Sequence, residues 1–193
     1  VEGYSNSISI NPISDSESLK KIDSLLEVIT GLNDSDYVRA IARKDENKET
    51  EFKETFSLDV RSQTREKRIR ESSLKTICAF FNSLGGNLLI GVNDSKEITG
   101  IDQELEKFHK GKRDNFKKNF QDVFKSNIGP EFFPLIEYRI VEVDSKTVFW
   151  ISCKPSDKEV FMNGIDFYVR TNPATHKLEG PHQLEYIRNR FGS

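Results

Sequence analysis

Residues 83–102 read SLGGNLLIGVNDSKEITGID, and this stretch decides the fold class. It opens on a glycine pair, Gly85-Gly86, runs through a short, nearly continuous apolar segment from Asn87 to Val92, and turns at Asn93–Glu97. Glycine ends a helix readily because it takes a left-handed backbone with no Cβ penalty. A short apolar run bounded by turn residues reads as a buried strand. Upstream, Leu74, Ile77, Cys78, Phe80, Phe81 and Leu84 recur at helical spacing, which predicts a helix over about 68–83 leading into the glycines.

Further upstream, residues 46–56 read ENKETEFKETF. Over 49–56 the pattern alternates, with Phe52 and Phe56 on one side and Glu49, Glu51 and Lys53 on the other, which predicts a half-buried strand. From Ser16, the positions Leu19, Ile22, Leu25, Leu26 and Ile29 predict a helix that Gly31 and Asn33 end. Asp34 caps a second short helix carrying Tyr37, Val38 and Ile41. Downstream, 102–128 is helical around Leu105, Phe108, Phe116, Phe120, Val123 and Phe124, with a break near Gly111. Pro130 and Pro134 flank an aromatic loop. Leu135–Val143 and Thr147–Cys153 alternate about Asp144-Ser145-Lys146, and Glu159–Met162 and Asp166–Arg170 flank Asn163-Gly164; both are hairpin signatures. Gly180-Pro181 opens a last helix with Leu184, Ile187 and Phe191. This order predicts an α+β fold with a mixed, mostly antiparallel sheet flanked by helices. Residues 1–45 read as an acidic helical N-terminal extension and 46–193 as the main domain.

The chain has 193 residues, 35% of them hydrophobic and 14 of them Phe, enough for one sizeable core and against disorder. Its net charge of −2 excludes a uniformly basic protein. The charge is unevenly spread. Residues 1–60 hold 7 basic and 13 acidic groups, whereas residues 61–118 hold 13 basic and 8 acidic, so the middle third is the part suited to a polyanion. No apolar run approaches the roughly 20 residues of a membrane span. Cys78 and Cys153 are isolated in apolar runs, which implies a reducing compartment and a cytoplasmic protein. His109, His176 and His182 are scattered, so no zinc cluster is expected. The glycines do not form a phosphate-loop pattern. A start at Val1, with Met162 the only methionine, reads as part of a longer chain.

Glu46, Glu51 and Asp94 are three carboxylates near predicted strand ends, with Lys53 beside them. Oxygen ligands of this kind suit a hard cation such as Mg²⁺ or Mn²⁺ next to a phosphate, and a lysine can neutralise charge developing on that phosphate. An ordinary salt-bridged surface would show the same residues. The basic residues Arg61, Arg65 and Arg68, and further on Lys112, Arg113 and Lys117, would make a phosphate track if they lined one groove; the alternative is solubilising charge. Arg170 stands at a predicted strand end and is expected to touch phosphate or the acids. Glu51-Phe52-Lys53 also matches the acid-x-Lys half of restriction-endonuclease-like folds. That reading ranks lower, because Asp45 has no strand of its own before it.

Three separated motifs then match one family in order: Glu51-Phe52-Lys53; Ala79-Phe80-Phe81-Asn82-Ser83-Leu84-Gly85-Gly86 running on to Asn93-Asp94 and Ile98-Thr99-Gly100; and Phe167-Tyr168-Val169-Arg170-Thr171-Asn172-Pro173-Ala174-Thr175. Over about residues 45–191 the chain resembles the Schlafen AlbA-like domain. The resemblance implies a single lobe of that fold and a metal-dependent endoribonuclease acting on tRNA or other structured RNA, in translation shut-off or antiviral defence. It implies catalytic and metal-holding roles for Glu46, Glu51 and Asp94, with Lys53 stabilising phosphate charge. A homodimer would supply a second lobe. Other relatives are nucleic-acid-binding or regulatory modules, which is the alternative function, and a protein–protein effector domain is a third.

Overall fold

The computed structural model describes residues 34–192, together with Leu25. Apart from helical Leu25, the helix expected from Ser16 and the Ser/Asn-rich start of the chain lie outside the described residues. Helix α1 occupies 34–42. Strand β1 (Thr50–Lys53) is followed by a small ribbon, β2 (Leu58–Asp59) and β3 (Thr64–Arg65), then by α2 (Lys67–Phe81) and β4 (Gly86–Ile90). Next come α3 (Asp102–His109), α4 (Arg113–Asn127), a 3-10 turn at Pro130–Leu135, and the hairpin β5 (Ile136–Val143) and β6 (Lys146–Cys153). The chain continues through β7 (Phe161–Met162), β8 (Asp166–Arg170), β9 (Thr175–Leu178) and α5 (Gly180–Phe191).

The main sheet has the order β1-β4-β6-β5. β1 and β4 are parallel, with Glu51 beside Leu88 and Lys53 beside Ile90. A parallel pair requires a crossover, and α2 supplies it. The other pairings, β4 with β6 and β5 with β6, are antiparallel. A second sheet, β7-β8-β9, is antiparallel throughout and packs on α2 from the other side. The fold is therefore α+β, as the element order predicts.

Alternation along the strands sorts the apolar residues into two cores. Phe52, Leu89, Val141, Val143 and Val148 face α1, which contributes Val38, Ile41 and Ala42. Thus α1, part of the predicted extension, packs on the main sheet. Leu88, Ile90, Phe149 and Ile151 face α2 and α4. In that larger core Phe56, Phe116, Phe120 and Phe149 meet edge-on, with ring centroids 5.0–5.8 Å apart. Edge-to-face contact is the favoured aromatic geometry. Gly85 and Gly86 earn their place by close approach. A Cβ on Gly85, at φ +81°, would lie 2.5 Å from the Cys153 carbonyl oxygen, and one on Gly86 would lie 2.5 Å from the Phe80 ring. Cys78 and Cys153 are free and buried; burial pushes the Cys78 thiol up to about 12, which leaves it unreactive.

The expected strand over 49–56 is shorter than its alternation predicts. β1 ends at Lys53, and Phe56 enters the larger core rather than the side of Phe52. The cause is a buried acid on α3. Glu104 accepts the backbone N–H groups of Phe56 at 2.9 Å and Ser57 at 2.8 Å and the Ser57 hydroxyl at 2.6 Å. Strands β2, β3 and β9 carry no apolar alternation, so nothing in their residues announces them. Burial raises the Glu104 carboxyl pKa, and the bonds from Ser57 and Phe56 only partly offset this. The folded protein therefore holds the Glu104 proton more tightly than the unfolded chain does. The resulting stabilisation is full below the ordinary glutamate range and is lost as pH rises through the elevated value. In urea denaturation, wild type should lose ground to Glu104→Gln as pH rises from the ordinary glutamate range towards neutrality. Glu104→Ala, which strands two buried N–H donors, should cost about 3 kcal/mol.

Candidate functional site

Phe52 points to the α1 side of β1, so Glu51 and Lys53 project from the opposite face. β1 is an edge strand, and the end of β8 closes this face. The Arg170 side chain is fully buried there. Its Nη1 donates to Glu51 Oε2 at 2.8 Å and to Thr175 Oγ1 at 3.0 Å. Its Nη2 donates to the Asn47 carbonyl at 2.6 Å and the Thr50 carbonyl at 3.3 Å. The guanidinium carbon stands 5.2 Å from the centre of the Phe80 ring. A buried charge must be paired, and Arg170 is paired across 119 residues of chain. Lys53 Nζ binds the other Glu51 oxygen, Oε1.

The two remaining acids, unlike Glu51, are exposed. Glu46 is exposed, and its Oε1 accepts the Phe52 N–H at 2.8 Å, closing the turn that feeds β1. Asp94 is exposed on the turn after β4. Asn93 shapes that turn, its Oδ1 accepting the N–H groups of Ser95 at 3.0 Å and Glu97 at 2.9 Å. Lys96 on the same turn pairs with Asp45 beside Glu46.

As donor chemistry, three carboxylates suit a divalent metal. As geometry, the fit fails in this arrangement. Both Glu51 oxygens are engaged by cations and one Glu46 oxygen by a backbone N–H. Among the described residues, no group of three or more His, Cys, Asp or Glu side chains is placed to hold a metal ion.

The Schlafen, AlbA_2 family matches residues 46–179 of this chain, from Glu46 to just past β9. This chain belongs to the Schlafen, AlbA_2 family. Membership points to a nucleic-acid-related function. Sixteen solved chains match it. One is the crystal structure of the DIP2311 protein from Corynebacterium diphtheriae, at a TM-score of 0.54 and 13% identity, over 86% of this chain and 32% of that one. The chain thus spans about a third of that protein's length, and the likeness shows the fold alone. No curated protein matches.

In this AlbA_2 domain the basic residues divide. Lys53, Arg61 and Arg68 line an open cleft of about 310 Å³, shared with Glu54 and Asp59. Arg68 pairs with Asp59 at 3.2 Å. Arg65 lies over the Phe108 ring, 4.6 Å from its centre. Arg113, beside Lys112 at the start of α4, pairs at 3.2 Å with Glu142 of β5. β5 is the opposite edge of the sheet from β1, so Lys112 and Arg113 do not share a groove with Arg61 and Arg68. Lys117, half-buried on α4, is not in the cleft lining either.

Sequence reading gave Asn82 no role of its own. Its buried side-chain amide donates to the carbonyls of Val160 at 2.8 Å and Tyr168 at 2.9 Å and accepts the Val160 N–H at 2.8 Å. It thereby ties the end of α2 to the β7–β8 hairpin. Its signal was a polar residue closing an otherwise apolar helix just before Gly85-Gly86. Across the same joint, Arg170→Lys cannot reproduce four bonds from two guanidinium nitrogens. It should lose about 3 kcal/mol of stability, with faster hydrogen exchange at β8 and β9, both measurable on the purified domain.

Proposed function

We propose that this Schlafen AlbA_2 domain is a nucleic-acid-binding module that grips the phosphate backbone in the cleft beside Lys53, with structured, tRNA-like RNA the first substrate to test. The observation that carries the reading is the cleft itself, where Lys53, Arg61 and Arg68 converge next to the Glu51 edge. Arg68 holds Asp59 only through a surface pair with an arginine side chain 76% exposed. Such pairs contribute little, so a phosphate can compete for the guanidinium. Glu54 and Asp59 temper the field, which suits modest, salt-sensitive binding without base specificity.

Three phosphate contacts predict a log–log salt slope of about −2 to −3 in fluorescence anisotropy with a tRNA. The double substitution Arg61→Ala/Arg68→Ala should flatten that slope by about 1 to 2 and weaken binding at low salt. An unchanged slope in the variant would refute the cleft as the binding site.

A second reading, metal-dependent endoribonuclease activity, has one observation in its favour. β1 and β4 are parallel, so Lys53 and the Asp94 turn emerge at the same end of the sheet; the N–H groups of Gly91 and Val92 donate to the Lys53 carbonyl at 2.7 and 3.1 Å. The Lys96–Asp45 pair draws the Asp94 turn towards the Glu46 segment. This reading needs Mg²⁺ or Mn²⁺ to gather Glu46, Glu51 and Asp94. It predicts cleavage of tRNA by wild type with Mn²⁺ and at least a hundredfold loss in Asp94→Asn, judged by gel assay. Binding without turnover across a metal series would remove it and leave the binding module.

A further inference from the structure

The end of α2, the start of β1, β8 and α5 enclose a pocket of about 200 Å³, lined by Lys48, Ser83, Leu84, Arg170, Tyr186 and Arg190. It is separate from the Lys53 cleft; the two share no lining residue. Three of its six lining residues are cations, and none is an acid. We propose that this pocket is a binding site for one phosphomonoester group.

The hydrogen bonds in the pocket leave donors over. Ser83 Oγ accepts the backbone N–H of Arg170 at 2.9 Å, which leaves its own hydroxyl proton to give. Arg190 reaches the carbonyls of Ser83 at 3.4 Å and Ser156 at 3.3 Å through a single nitrogen, Nη2, so Nη1 and Nε remain. Tyr186 is fixed by donating to the Asn82 carbonyl at 2.9 Å. The Arg170 side chain, 0% exposed, lies behind this wall with its charge met by Glu51, and the donors open to a ligand are those of Lys48, Ser83 and Arg190.

A wall of donors and cations selects a ligand that only accepts. A carboxylate offers two oxygens, whereas a phosphomonoester offers three terminal oxygens and a second negative charge, matching donors from Lys48, Ser83 and Arg190. A phosphate seated with three oxygens on these donors has at most one oxygen left for a substituent, so it is free or stands at the end of a strand.

The free-phosphate arm of the test is independent of the proposed function, and the strand-end arm rests on it. Inorganic phosphate is titrated against chloride at matched ionic strength, and thermal unfolding is followed in wild type, Lys48→Ala and Arg190→Gln. Both substituted side chains are exposed, so the fold is retained. The expected result is a phosphate-dependent rise in melting temperature in wild type, needing about fivefold more phosphate in each variant. No rise, or an equal rise in all three, overturns the site. The second arm compares a 5′-phosphorylated oligonucleotide with its 5′-hydroxyl counterpart by anisotropy. A preference for the phosphorylated end that Lys48→Ala abolishes supports the site as a strand-end subsite. A phosphate response with no such preference supports it as a site for free phosphate. Arg61→Ala/Arg68→Ala separates the two proposals. If it leaves oligonucleotide binding unchanged while the phosphate response persists, the cleft fails and the pocket stands; salt-sensitive oligonucleotide binding with no phosphate response fails the pocket alone.

Discussion

The buried pair of Arg170 and Glu51 is the joint on which this structure depends. It connects the edge strand of the main sheet to the last residue of β8, in a second sheet that also packs on α2. An arginine side chain with no solvent exposure survives there because four acceptors, two of them carbonyls at the entry to β1, share its charge and donors. The same contacts fix the path of residues 47–51, and hence where Glu46 and Lys53 stand. Asn82 makes a second, neutral joint between α2 and the same hairpin.

That joint changes the meaning of the three acidic positions. On sequence alone, Glu46, Glu51 and Asp94 read either as metal ligands or as surface acids. In the fold, Glu51 compensates a buried cation on one oxygen and meets Lys53 on the other. Its carboxylate is committed to architecture as it stands, and Glu46 is committed to a backbone N–H. Basic side chains exposed enough to meet a ligand lie to either side, Arg61 and Arg68 in the cleft and Arg190 in the pocket. Both have the chemistry of a phosphate contact. This is why binding accounts for the geometry more directly than cleavage does.

Most of the fold was legible in the residues. The glycine pair, the apolar run to Val92 and the two hairpin turns are local signals, and local signals survive folding. Asp144 and Ser145 both take positive φ, as the tight β5–β6 turn requires. The failures were non-local. β1 stops early because Glu104, 48 residues beyond Phe56, captures the N–H groups of Phe56 and Ser57. Arg113 is drawn to Glu142 on the far sheet edge, so two basic stretches that look continuous in charge are separated in space. Lys48 and Arg190 carry no motif, and only the meeting of β1's entry with α5 gives them a shared pocket. Pairings that depend on which strands become neighbours leave no trace in spacing.

The most direct test of this account is a double-mutant cycle between Glu51→Gln and Arg170→Met, read by urea denaturation at neutral pH. If Glu51 is held chiefly by Arg170, the two losses are strongly non-additive, with a coupling above about 1.5 kcal/mol. Losses that add to within about 0.5 kcal/mol would show that the two side chains act independently and would contradict the account.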